Sequence, residues 1–133
     1  MRELIQLIGQ ALAVQCPNAT KALVYAEVQD GVIASSVFFE TTDAQLFFRY
    51  PSDDLEDLVY EFWEAGADRV PARSWRALEY SVVKNKLAVD FTFPEQFNES
   101  EGHHERRPRV IARQFPGLKP NYSNPDGHQS IDA

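Results

Sequence analysis

The chain has 133 residues, which fits one domain, since single domains usually run to roughly 100 to 200 residues, and its 44% hydrophobic and 12% aromatic content excludes wholesale disorder. Thirteen Lys and Arg stand against 20 Asp and Glu, and the net charge of -7 disfavours non-specific binding to nucleic acid or an anionic membrane, because the phosphate term is repulsive. No run approaches the ~18 apolar residues of a membrane span; the N-terminal stretch is a poor secretion signal, with Arg2 cancelled by Glu3; and one cysteine excludes an internal disulfide, so the expected compartment is the reducing cytoplasm.

Residues 3–15 place Leu4, Ile5, Leu7, Ile8, Ala11, Leu12 and Val14 at helical spacing, with Glu3, Gln6 and Gln10 opposite, which predicts an amphipathic helix stopped by Pro17 and Asn18. Residues 21–29 alternate Ala22, Val24, Ala26 and Val28 against Leu23, Tyr25, Glu27 and Gln29, the period of two of a strand. Asp30-Gly31 tolerates the positive φ of a two-residue turn, so residues 32–40, rich in β-branched and aromatic side chains, should return as a hairpin, with a third strand over 45–50. Pro51 and Ser52 open a second helix: Ser52 is the expected N-cap, Asp53, Asp54 and Glu56 meet the positive end of the helix dipole, and Leu55, Leu58, Val59, Phe62 and Trp63 form the apolar stripe up to Gly66.

After Pro71, residues 75–83 and 86–93 alternate around Lys84-Asn85 and predict a second hairpin. Pro94 closes the sheet, 95–104 reads as a loop, and Pro108 fits the first turn of a short helix carrying Val110, Ile111 and Phe115. The order α-β-β-β-α-β-β-α has no repeated helical crossover between strands, so the expectation is an α+β domain over residues 1–118, with a five-stranded, mainly antiparallel sheet and helices on one face. Residues 119–133, with little apolar content, are expected to be a poorly ordered tail.

The chemistry-bearing patterns are few. There is no phosphate-binding glycine loop, no G-x-S-x-G elbow and no H-E-x-x-H, and the six glycines do not cluster. Cys16 has no His in the first 100 residues to activate it and reads as packing. His103 and His104, with His128 far downstream, lack a second ligand pair for a tetrahedral ion, so no metal and no cofactor are expected. The pairs Asp53-Asp54 and Glu61-Glu64 are better explained by capping and solvation than by acid-base chemistry. Adjacent aromatics at Phe38-Phe39 and Phe47-Phe48 must point to opposite faces of a sheet, so either both faces are covered or some of these rings line an exposed patch; Phe47 beside Arg49, near Glu40 and Asp43, would give such a patch a charged rim.

Charge is uneven along the chain. Residues 37–68 carry nine acids against Arg49 alone, a local charge of -8, while residues 105–113 carry Arg106, Arg107, Arg109 and Arg113 against Glu105, a local charge of +3. A basic partner is the natural complement of the first window.

Several pieces occur in a telling order: Val24-Tyr25-Ala26-Glu27-Val28, the helix over 55–63, Ser74-Trp75 leading into Leu78 and Tyr80, Leu87-Ala88-Val89-Asp90-Phe91, and Glu105-Arg106-Arg107 followed by Phe115-Pro116-Gly117-Leu118-Lys119-Pro120. Together, over residues 3–122, they resemble the YezG-like immunity (antitoxin) proteins of bacterial polymorphic toxin systems. Departures are Lys84-Asn85-Lys86, where an acidic-Gly turn would be typical, and Pro108, where an aromatic-rich continuation would be. The resemblance implies a small cytoplasmic protein that binds and neutralises the toxic domain of its cognate effector, frequently a nuclease, without catalysis of its own. On that implication Asp53, Asp54, Asp57, Glu61 and Glu64 complement a basic toxin surface, Phe47 serves as an aromatic anchor, and Trp75, Glu105, Arg106 and Arg107 are the residues of the family segments. Two other readings use the same residues: a small anionic-ligand-binding or enzymatic domain built on His103, His104, Arg106 and Arg107, and a general acidic interaction adaptor.

Overall fold

The structure is a computed structural model that describes residues 2–67, 74–98 and 100–122. Pro71, His128 and the tail beyond residue 122 lie outside the described residues. The elements in chain order are α1 (Arg2–Gln15), β1 (Lys21–Gln29), β2 (Val32–Glu40), β3 (Leu46–Arg49), α2 (Asp53–Ala67), β4 (Ala77–Val83), β5 (Lys86–Thr92), a short 3-10 turn (Pro94–Gln96), α3 (His103–Gln114) and β6 (Pro120–Asn121).

The fold is α+β, as the element order implies, but the sheet has six strands in the order β5-β4-β1-β2-β3-β6. Neighbours are antiparallel except β3 and β6, which run parallel with Leu46 opposite Pro120. Lys119 onward was expected to fray, yet Pro120–Asn121 joins the sheet and Tyr122 packs its ring 5.2 Å from that of Phe48. Both tight hairpins use the twist-compatible turn with two positive φ values, at Asp30 (53°) and Gly31 (77°), and at Lys84 (49°) and Asn85 (65°).

The expected single layer of helices is corrected by the burial of β1, whose residues from Ala22 to Val28 are all buried. A strand buried on both sides needs a cover on each face. On one face Ala22, Val24, Ala26, Val28, Phe39 and Phe47 pack with Ile8 and Leu12 of α1 and Leu55, Val59 and Phe62 of α2. On the other, Leu23, Tyr25, Phe38 and Leu46 pack with Ile111 and Phe115 of the α3 segment. The Phe doublets thus split between two cores, and each fully buried ring contributes roughly 1.5 to 3 kcal/mol by leaving water.

Local chemistry sets the helix ends. The Ser52 hydroxyl accepts the Leu55 N–H at 3.2 Å, the N-cap bond expected of it. The Gln15 amide, at the end of α1, accepts from the Ser52 N–H at 3.0 Å and donates to the Tyr50 carbonyl at 2.5 Å, clasping the two helices together. The helix expected to start near Pro108 begins instead at His103, so His103 and His104 are helical rather than part of a loop. Its start is explained by Glu105, whose carboxylate accepts the Gly102 N–H at 2.8 Å, and Pro108 lies inside the helix, where its missing N–H leaves one carbonyl of the preceding turn without its helical donor.

Candidate functional site

α2 presents two faces. Leu55, Val59 and Phe62 are buried, whereas Asp53, Asp54, Glu56, Asp57, Tyr60, Glu61 and Glu64 are exposed. Asp54, Asp57 and Glu61 are three and four residues apart, so they stack along the flank of α2 that looks toward α1. Between the helices runs an open groove of about 520 Å³ lined by Leu7, Ala11, Val14 and Leu58, with Gln10, Ser52, Asp54, Asp57 and Glu61 also at its walls. Leu7 and Val14 belong to the predicted apolar stripe of α1, yet they are 42% and 82% exposed, because that stripe is wider than the strip of sheet α1 can cover. The site is therefore an apolar floor with an acidic rim.

The energetics of these acids divide along the helix. Asp53, Asp54 and Glu56 sit in the first turn and gain from the dipole. Glu64 lies in the last turn, where the same dipole opposes it, and no basic residue stands in that turn, while Glu61 lies mid-helix. Asp53 with Asp57 and Asp57 with Glu61 add like-charge contacts four residues apart, each costing a few tenths of a kcal/mol. Among the described residues no cation forms an ion pair with any of the α2 acids.

Phe47, expected as an anchor on this surface, is instead 6% exposed and stacked against Phe39, with ring centroids 5.7 Å apart, beneath the helices. The exposed ring of α2 is Tyr60, 6.1 Å from Trp63. Tyr60 is legible in the sequence as an aromatic at a polar position of the helical repeat, three residues after Asp57.

On the opposite face the arginines at the start of α3 form a structural clamp, while Trp75 belongs to the core under α1 and α2. Arg106 reaches from α3 to Glu27 of β1 in a bidentate pair, Nε to Oε2 at 3.0 Å and Nη2 to Oε1 at 2.7 Å, and its Nη1 donates to the carbonyls of Asn98, at 3.0 Å, and Glu101. The guanidinium lies 4.1 Å over the Phe97 ring. The Tyr25 hydroxyl also donates to Glu27, and His103 stacks on Tyr25 with its Nδ1 3.2 Å from Glu27 Oε1. Burial alone would raise the Glu27 carboxyl, but hydrogen bonds from Arg106 and Tyr25 and the charge of the His103 imidazole outweigh it and hold it below the ordinary value. Burial and the bond to Glu27 push the Tyr25 phenol up.

Arg107 donates to the Ser36 hydroxyl at 3.0 Å and lies over Phe38 and Phe48. Trp75 is buried against Phe91, and its carbonyl accepts the Trp63 indole N–H at 3.0 Å. Glu105 is the cap of α3 already described. A cleft of about 290 Å³ does open beside Arg106, but its cations are engaged within the protein: Arg109 with Glu101, Arg113 with Glu79 at 2.7 Å and Arg106 with Glu27. Four of the five guanidinium donors of Arg106 are used, which leaves little to offer an anion. Cys16 is buried at the end of α1, and burial pushes its thiol up to about 12, so it is a poor nucleophile.

The fold and the site define a small α+β domain with helices on both faces of its sheet and an acid-rimmed apolar groove between α1 and α2. No protein-family model matches the chain, and no curated protein matches it significantly. No described helix is long and apolar enough to cross a membrane.

Proposed function

We propose that this protein is a non-catalytic immunity protein of the YezG-like kind, acting in the cytoplasm to bind and neutralise a cognate bacterial toxin domain with a basic surface, such as a nuclease. The observation that carries this reading is the continuation of acid past the first turn of α2, at Glu61 and Glu64, paired with no cation among the described residues, with Glu61 on the rim of an open apolar groove. Repulsion from Asp57 at Glu61 and the helix dipole at Glu64 each cost the helix a few tenths of a kcal/mol, so helix stability does not account for them, whereas a cationic partner does. The groove takes apolar side chains of the partner at Leu7, Val14 and Leu58, and the rim at Asp54, Asp57 and Glu61 takes its Lys and Arg. A nuclease domain must attract phosphate, so an acidic surface both steers onto it and competes with its substrate.

The test separates folding from binding. Glu61→Lys with Glu64→Lys should raise stability by about 0.5 to 1 kcal/mol, because it removes repulsion and complements the dipole. The same pair of changes should weaken capture of the toxin domain encoded beside the gene by about tenfold or more and abolish growth rescue on co-expression. Association of the wild type should slow as salt rises. Unchanged capture by the folded variant, with no salt dependence, would refute the assignment of this surface.

A further inference from the structure

The two edges of the sheet are not alike. β6 is two residues long and begins with a proline, which lacks a ladder donor, so that edge is blunted. β5 is seven residues long, contains no proline and has no strand on its outer side among the described residues. Val83 and Lys86 close a two-residue turn, so this pair exchanges both backbone hydrogen bonds and the pattern alternates from there. Lys86, Ala88 and Asp90 therefore direct their N–H and C=O groups to β4, and Leu87, Val89 and Phe91 direct theirs outward. The side chains of those outward-bonding residues form a row on the α1 and α2 face in which Leu87 is 46% and Phe91 37% exposed.

The geometry points to a second copy of this chain as the occupant of that edge: we propose that β5 pairs antiparallel with β5 of a partner about a two-fold axis through Ala88. In this register Leu87 faces Val89 across the axis as a hydrogen-bonded pair, and Lys86 faces Asp90 as a close non-hydrogen-bonded pair, each occurring twice by symmetry. The strand is thus self-complementary in both charge and apolar contact. Asp90 sits within electrostatic reach of Arg113, whose guanidinium is already bound to Glu79, and among the described residues Asp90 forms no ion pair. In a protein of net charge -7, two copies repel across the acidic α2, whereas this edge carries Lys84 and Lys86 beside Asp90. The pairing keeps one face of the sheet continuous, so both α2 helices lie on the same side of the dimer. A strand of about 24 Å buries on the order of 1,000 Å² in total, at the low end of specific interfaces, so the dimer is a concentration-dependent one.

Sedimentation equilibrium on the full chain, from micromolar to sub-millimolar concentration, tests this and is independent of the toxin-binding reading. The wild type is expected to show a monomer-dimer equilibrium. Leu87→Pro removes only an outward N–H and should leave a folded monomer by circular dichroism. Lys86→Asp and Asp90→Lys should each weaken self-association by about tenfold, since each sets two like-charge pairs across the axis. An equimolar mixture of these two variants restores both opposite-charge pairs and should return to wild-type association. A wild type that stays monomeric throughout, a folded Leu87→Pro variant that still dimerises, or a mixture no tighter than its components overturns the proposal. If Leu87→Pro fails to fold, the charge-swap mixture decides alone.

Discussion

Removing the Arg106 side chain should destabilise the protein by about 3 to 5 kcal/mol, the usual cost of breaking a buried ion pair from one side. The geometry supports the upper part of that range: the Glu27 side chain is 7% exposed and receives both forks of the guanidinium, so Arg106→Met leaves a carboxylate in the core with Tyr25 and His103 as its remaining partners. The same change frees the carbonyls of Asn98 and Glu101 and removes one of the two guanidinium groups, Arg106 and Arg76, that lie over Phe97. Replacing both ends with apolar groups, Arg106→Met with Glu27→Leu, removes the stranded charge as well and should cost far less than the sum of the single changes, with a coupling of at least about 2 kcal/mol. Urea unfolding of the wild type, both single variants and the double variant measures this directly. The slope with denaturant should stay constant if the whole domain still unfolds as one unit. A loss below about 1 kcal/mol for Arg106→Met, or additivity of the two changes within about 0.5 kcal/mol, would refute the view that this pair clamps α3 to the sheet.

Glu27 also sets an acid limit: its folded carboxyl titrates below the ordinary value of 4.5, so its contribution is complete at neutral pH and is lost as pH falls through the folded value. Glu27→Gln should therefore flatten the acid limb of a stability-pH curve recorded by urea titration while lowering the neutral plateau. Gly9→Ala would ordinarily strengthen a helix by about 1 kcal/mol. Here the added methyl falls 2.7 Å from the Tyr80 hydroxyl, which is fixed 2.5 Å from the Ile5 carbonyl, so thermal unfolding should show a net loss. Adding Tyr80→Phe, which removes the clashing oxygen, should recover most of that loss. Cys16, with its thiol pushed up to about 12 by burial, should resist iodoacetamide in the folded protein at pH 8 and react once urea exposes it, as read by mass spectrometry.

The elements were readable because each rests on a local rule. Alternation from Ala22 to Val28, the Asp30-Gly31 turn, and Ser52 ahead of Asp53 and Asp54 identify β1, its hairpin and the start of α2 without reference to the rest of the chain. Local rules misplaced α3, because Pro108 looked like a helix start, while the actual start depends on the Glu105 carboxylate turning back to the Gly102 N–H. They also missed Glu27 as the partner of Arg106, 79 residues away, although an acid on the Leu23 and Tyr25 side of β1 was the available signal. The acidic residues of α2 could be listed from the chain, but the groove they rim needs the placement of α1.

Period and turn chemistry thus suffice for the α+β class, five of the six strands and the acidic face of α2. Tertiary structure alone decided that helices cover both faces, that Phe47 is core rather than anchor, that Pro120 extends the sheet, and that the arginines of α3 serve the fold. The physical reason is that alternation tells which side chains share a face, whereas what covers that face depends on contacts between residues far apart in the chain.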